Sequence, residues 1–218
     1  MLFFGIRNIL RDGAGKKCIG KVNIVRKKSH ISLAGFLADK LEHEGIKSHR
    51  KAFCLGSILP DCMPSFLTTK HAFNETFEML QKRIENYIEY SATRDKHTMK
   101  AARDLGQIIH YTADYFTFPH NNHYDGNLKD HCVYEGNLLR QLKKYLNEFE
   151  ANAYVEYDIT FGSMDELVEF IRERHAEYMS RKRNVEDDCR FIVAVNYQVM
   201  RGIMQLLEDR KQSLVLVM

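Results

Sequence analysis

The stretch HYTADYFTFPHNNHYDGNLKDHCVYE (residues 110–135) contains four histidines, two of which are followed four residues later by a carboxylate. The two pairs are His110 with Asp114 and His131 with Glu135. On an α-helix, residues four apart lie on the same face, one above the other. Each pair therefore directs an imidazole and a carboxylate toward a common point, and this mixture of ligands suits zinc.

The apolar spacing on both sides of this stretch is helical along almost the whole chain. Proline and glycine mark the connections between the helical segments. The final segment, SLVLVM (213–218), fits either a strand or a docked arm, because its periodicity does not distinguish them. The sequence therefore predicts an all-α bundle of six to eight helices, with helical segments at 31–41, 50–59, 74–90, 98–118, 129–149, 163–179 and 185–210.

The length and composition indicate an ordinary globular protein. The chain has 218 residues, 44% hydrophobic and 28% charged, which is enough for one domain with a sizeable core. Its net charge of +3 is too small to argue for a nucleic-acid partner. Basic residues crowd the N-terminus, so we divide the chain into a basic arm (1–28) and a single helical domain (29–218). The arm is suited to peripheral contact with an anionic membrane or to nucleic acid, but a solvated, mobile N-terminus is the favoured interpretation.

The cysteines and the N-terminus predict a cytoplasmic location. The opening MLFFGI is shorter than a signal-peptide core and follows no basic region. No stretch approaches the ~20 apolar residues of a membrane span. The chain has five cysteines, an odd number without a CxxC pair, and we expect reduced thiols.

Taken alone, one histidine–carboxylate pair on a helix is usually a surface ion pair or a satisfied buried histidine. Here the first pair lies within the apolar segment LGQIIHYTADYF (105–116), so its face is not expected to meet solvent. A buried charge pair without a metal or further partners is costly. The loop between the pairs adds His120 and His123. The local chemistry therefore leaves a metal site and a satisfied ion pair as open alternatives.

Residues upstream supply further ligand types in a specific order. His30 lies in SHISLAGF, Asp61 follows a proline in GSILPD, and His71 lies in KHAFNE. With these residues, the sequence resembles the zinc-dependent phospholipase C family, which shares its all-α fold with fungal and plant single-strand nucleases. The resemblance spans about residues 29–136 and rests on His30, Asp61, His71, His110, Asp114, His120, His131 and Glu135.

The resemblance implies a cluster of two to three zinc ions in a cleft between helices. By similarity, Asp114 bridges two metals, which holds them about 3.5–4 Å apart in two-metal hydrolases. The third ion would share Asp114 and take His30. The first ion would take Asp61, His71, His110 and Asp114, and the second would take His120, His131 and Glu135.

The implied reaction is hydrolysis of a phosphodiester, with a phospholipid cleaved to diacylglycerol and a phosphorylated headgroup. Zinc lowers the pKa of bound water toward ~7 and so supplies hydroxide at neutral pH. Asp61 is the candidate catalytic residue, and it would orient or deprotonate the water.

Two alternatives to this function stay open. Secreted members of the family use an N-terminal tryptophan at the third zinc, whereas this chain has no tryptophan, and Cys18 is a less favoured substitute. A single-strand nuclease would keep the metals and need aromatic platforms for stacking bases. A non-catalytic metal-binding protein with an incomplete third site is the second alternative.

Overall fold

The computed structural model describes residues 13–41, 43–63, 71–94, 98–121, 124–148, 159–181 and 184–216, without the side chains of residues 13–26 and of Leu128. These ranges contain eight α-helices and no strand, which confirms the predicted all-α fold. The α-helices are α1 (Gly13–Lys40), α2 (Glu44–Ser48), α3 (Arg50–Gly56), α4 (Phe73–Thr93), α5 (Met99–Tyr115), α6 (Leu128–Asn147), α7 (Met164–Ser180) and α8 (Val185–Leu216). Two short 3₁₀ helices, Pro60–Cys62 and Phe118–His120, lie between them.

The first and last helices are longer than the sequence predicts. α1 begins at Gly13, so His30 lies in the interior of a helix and not near its start. No proline interrupts the chain before residue 40, and the missing apolar period does not prevent a helix from continuing. α8 continues to Leu216, so residues 213–216 form neither a strand nor a separate arm. The division at residue 29 stays a prediction, and α1 runs through it.

α5 and α8 lie in the centre of the bundle. α8 packs against α4, α5 and α6, while α1 packs against α6. α5 buries every residue from Ile108 to Tyr115, including the polar His110 and Asp114. Within the described ranges, no helix combines the length and apolar character that a membrane span requires. The helix that carries the first histidine–carboxylate pair is thus enclosed by its neighbours.

Two glycines allow α3 and α5 to pack backbone against backbone. A Cβ atom on Gly106 would collide with the carbonyl group of Phe53 and lie 2.8 Å from the backbone nitrogen of Ser57. A Cβ atom on Gly56 would collide with the carbonyl group of Arg103. All of these obstacles are backbone atoms, so no change of rotamer relieves them. The close approach brings the end of α3 onto the face of α5 that carries His110.

The expectation that all the cysteines are reduced is wrong for Cys132. This residue, on α6, is disulfide-bonded. Cys54, Cys62 and Cys189 are free thiols. Disulfide pairing depends on the distance between Cα atoms in space, which a search for CxxC spacing does not test. Cys18, the suggested substitute ligand, lies among the side chains that the structure does not describe.

Replacing Gly106 with alanine should destabilise the protein by about 1–3 kcal/mol, because the added methyl group overpacks a rigid backbone contact. The matched control is Gly136→Ala on α6, where an added Cβ meets nothing within 4 Å. The control should stabilise the fold by up to about 1 kcal/mol through helix propensity alone. Denaturant unfolding of both variants measures the difference, and equal free energies of unfolding would contradict the close packing.

Candidate metal centre

Four buried side chains from three parts of the chain meet in a first cluster, which consists of Asp61, His71, His110 and Asp114. Their potential ligand atoms all lie within 4.8 Å of one another. Asp61 comes from the 3₁₀ helix after α3, and His71 precedes α4. His110 and Asp114 lie one turn apart on α5. All four are less than 10% exposed, so the cluster is held in the interior of the bundle.

Contact distances in the first cluster show how closely its polar atoms converge. His71 Nδ1 lies 3.0 Å from Asp114 Oδ2 and 3.0 Å from His110 Nε2. His110 Nε2 also lies 3.3 Å from Asp114 Oδ2. Asp61 Oδ1 lies 3.9 Å from the same two ring nitrogens of His71 and His110.

A backbone contact assigns the tautomer of His110. Its Nδ1 lies 2.9 Å from the carbonyl oxygen of Ser57, which can only accept a hydrogen bond. Nδ1 therefore carries the proton, and in the neutral ring Nε2 presents a lone pair toward Asp114. Two acceptors 3.3 Å apart repel each other unless a cation or a proton lies between them. The donor set and this contact therefore fit a bound metal ion.

A second cluster, His120, His131 and Glu135, lies beside the first. Its potential ligand atoms also lie within 4.8 Å of one another. Glu135 Oε1 is 3.4 Å from His131 Nε2 and 3.8 Å from His120 Nε2. His120 Nδ1 lies 3.4 Å from Asp114 Oδ2, which connects the two clusters. The second cluster has one buried carboxylate and two imidazoles, the composition of a three-ligand catalytic zinc site.

His30 lies against the first cluster from the side of α1. Its Nε2 is 3.3 Å from Asp114 Oδ1, the carboxylate oxygen that faces away from His71. Its ring is 4.1 Å from the ring of His110, centroid to centroid. A cavity of about 20 Å³ is lined by His30, Asp114 and Glu135 together with apolar side chains, and it is large enough for one water molecule. The structure thus brings together all eight residues that the sequence singled out.

The charge on Asp114 is maintained by the surrounding histidines. Burial alone raises the pKa of this carboxyl, because desolvation disfavours the charged form. With no metal bound, a proton between His110 Nε2 and Asp114 takes the place of the cation: positive charge on His120 and His110, with hydrogen bonds from His110 and His30, outweighs burial and holds the pKa of Asp114 well below its usual range. Asp114 is therefore an anion at neutral pH and is available as a metal ligand.

Two asparagines hold the described residues after α5 and before α6. Asn121 donates through Nδ2 to the carbonyl oxygens of Tyr115 and Thr117, which ties the His120 turn to the end of α5. Asn127 caps α6 in a reciprocal capping box with Asp130. The cap sets where α6 begins and therefore the direction in which His131 and Glu135 point.

Sequence reasoning missed several supporting residues. The charged neighbours of His175 in the sequence predict a surface residue, yet it is half-buried and stacks on Phe73 with ring centroids 4.0 Å apart. Its Nε2 lies 3.1 Å from Asn121 Oδ1. Ser57 contributes only a backbone carbonyl, which no pattern of side chains reveals. His123, the additional loop histidine, lies outside the described residues.

Comparison with known proteins agrees with this geometry. The family model described as zinc dependent phospholipase C matches residues 29–185, which is most of the chain. The chain belongs to the zinc-dependent phospholipase C family. No curated protein and no solved structure matches it significantly. The family match begins one residue before His30 and includes both clusters, so the predicted resemblance is confirmed.

The environment of His175 predicts a pH dependence of stability. Burial lowers the pKa of His175 from 6.5 to about 4. Between pH 6.5 and about 4, this histidine is therefore protonated in the unfolded chain and neutral in the folded chain. Folded stability is therefore retained above pH 6.5 and lost as the pH falls toward 4. In chelator-treated protein, the free energy of unfolding should fall by about 2 kcal/mol less in His175→Gln than in wild type over this range. Urea unfolding at pH 7, 5.5 and 4.5 measures the slope, and parallel slopes would contradict the assignment.

Proposed function

We propose that this protein is a zinc-dependent phosphodiester hydrolase that acts as a phospholipase C on a phospholipid. The family membership supports this class of reaction. The observation that carries the proposal most directly is the convergence of two clusters of metal-ligand type on the single carboxylate of Asp114. An arrangement of imidazoles and carboxylates around a shared anion is what a hydrolase with adjacent metal ions needs.

In this proposal about two to three zinc ions bind at the adjoining clusters. Asp61, His71, His110 and Asp114 hold the first ion, and His120, His131 and Glu135 hold the second. His30 and the outer oxygen of Asp114 face the small cavity and supply two ligands toward a third. The His110–Ser57 contact supports the first assignment, because metal-bound histidines almost always donate their other ring N–H to an acceptor.

The bound ions would lower the pKa of a water molecule toward ~7 and stabilise negative charge on the phosphoryl oxygens. The chain's own contribution is to hold ligands and to manage protons. Asp61 is the proposed catalytic residue, placed to orient the attacking water or to accept its proton. Its Oδ1 atom lies 3.9 Å from His71 Nδ1 and from His110 Nε2, which is longer than a hydrogen bond. This spacing leaves room for a bound group between them.

The aromatic rings beside the first cluster give no support to the nuclease alternative, whereas Tyr124, whose ring lies 5.8 Å from that of His131 in the second cluster, is only half-buried. Bases would need exposed rings on which to stack. Tyr115 and Phe116 are fully buried, and Tyr111 is only 8% exposed. Tyr111 packs its ring against His71 at 4.9 Å. The rings nearest the first cluster therefore belong to the core and offer no stacking platform.

The cellular setting is a separate question from the reaction. The cytoplasmic location stays a prediction, and the disulfide at Cys132 favours an oxidising compartment instead. Peripheral contact of the N-terminal arm with an anionic membrane also stays a prediction. Neither affects the proposed chemistry at the two clusters.

Asp114→Asn should lower the zinc content by more than one ion per chain and abolish hydrolysis, because the change removes the anion that both clusters share. His131→Ala is the matched control, since its carboxylate contact is to Glu135 of the second cluster, and it should lose about one ion. Elemental analysis of folded, dialysed protein gives both numbers. Full zinc content in the Asp114 variant would overturn the shared-carboxylate assignment.

Zinc-loaded protein should release a phosphorylated headgroup and diacylglycerol from phospholipid vesicles, and a chelator should abolish the activity. The informative assay tests phosphatidylcholine, other phospholipids, and single-stranded DNA and RNA in parallel. Cleavage of nucleic acid alone would favour the nuclease alternative. Stoichiometric zinc binding without cleavage of any substrate would favour the non-catalytic alternative.

A further inference from the structure

A buried carboxylate outside both clusters connects three parts of the bundle. Asp188 lies in the first two turns of α8 and is 0% exposed. Its Oδ2 accepts hydrogen bonds from the backbone N–H of Phe118, at 2.9 Å, and from the Tyr134 hydroxyl. Its Oδ1 accepts a hydrogen bond from the Tyr178 hydroxyl at 2.8 Å. Three donors from the 118–120 turn, α6 and α7 thus meet on one side chain.

Two of the three donors are close in sequence to ligands of the second cluster. Phe118 begins the 3₁₀ helix that ends with His120, so its N–H fixes the start of the turn that presents this imidazole. Tyr134 immediately precedes Glu135 on α6. The third donor, Tyr178, lies on α7, which contributes no side chain to either cluster.

Burying the Asp188 carboxylate costs free energy, because the charged group loses its contact with water. Burial raises the pKa of this carboxyl to about 6, even though hydrogen bonds from Tyr134, Phe118 and Tyr178 act in the opposite direction. A buried charge is rarely the most stable choice for a core position, because a well-packed apolar side chain is often neutral or better. Asp188 also lies beyond the residues that the family model matches. A role in positioning explains why a carboxylate stands here.

We propose that Asp188 is a positioning residue for the second cluster, holding the His120 turn and α6 at the separation that lets His120, His131 and Glu135 share one metal ion. The inference rests on the proposed zinc site. Asp188 touches no ligand directly. It acts through the backbone of Phe118 and the side chain of Tyr134, which span the gap between the turn and α6.

The test compares two pairs of variants. Asp188→Ala removes all three acceptor contacts, whereas Asp188→Asn keeps an oxygen for Phe118 and Tyr134 and turns its amide toward the Tyr178 hydroxyl, which can accept. Tyr134→Phe deletes the hydrogen bond that leads toward Glu135. Tyr178→Phe deletes one that leads to α7, which carries none of the second cluster's proposed ligands. Each pair therefore separates positioning of the second cluster from general stability.

The readout is zinc stoichiometry and the affinity of the second-cluster ion, identified as the ion that His131→Ala loses, measured by competition with a chelator on folded protein. We expect Asp188→Ala and Tyr134→Phe to lower the affinity for that ion by about tenfold or more, as loss of residues that support metal ligands typically does. Asp188→Asn and Tyr178→Phe should retain near wild-type affinity. Thermal melts of the zinc-free proteins record the stability change in every variant.

The outcomes distinguish this inference from the function on which it rests. If wild-type protein binds no zinc, the proposed function fails before the variants are compared. If wild type binds at least two ions and Asp188→Ala leaves the affinity of the second-cluster ion unchanged, the positioning role is wrong. Equal weakening by Tyr134→Phe and Tyr178→Phe would also overturn it, because a merely structural role does not distinguish the two hydroxyls.

Discussion

Asp114 is a carboxylate that water does not solvate and that four histidines surround instead. His71, His110 and His120 approach one of its oxygens within 3.4 Å, and His30 approaches the other at 3.3 Å. An isolated buried anion would cost several kcal/mol, so its neighbours must supply positive charge as protons or as metal ions. Protonated histidines this close would repel one another, which is why metal ions compensate the charge better.

The bundle is arranged to hold this anion and its partners rigidly. The glycines at the α3–α5 crossing let Ser57 reach His110, and this contact leaves Nε2 of His110 directed at the cluster. Asparagines do the same for the second cluster, where Asn121 ties the His120 turn to the end of α5 and Asn127 caps the start of α6. His110, the turn that carries His120 and the helix that carries His131 and Glu135 are thus each positioned by a residue that is not itself a proposed ligand.

The sequence identifies the metal-ligand-type residues that the structure brings together, but not the residues that hold them in place. The i, i+4 spacing of His110 with Asp114 and of His131 with Glu135 is a local property that helical periodicity reveals, and the helices themselves follow from apolar spacing. The supports depend on contacts between distant segments: Asp188 meets Phe118 across 70 positions, and His175 meets Asn121 across 54. Helix length was also underestimated where α1 lacks an apolar period. The disulfide at Cys132 was not predicted for a similar reason, because disulfide pairing depends on the distance between two cysteines in the folded chain.

The central claim, that metal ions occupy both clusters around Asp114, is tested most directly by anomalous diffraction from crystals of the zinc-loaded protein at the zinc absorption edge. The account predicts one peak among Asp61, His71, His110 and Asp114 and a second among His120, His131 and Glu135. A third peak beside His30 would complete the centre. Absence of anomalous signal from both clusters, or zinc bound only at cysteines elsewhere, would contradict the account.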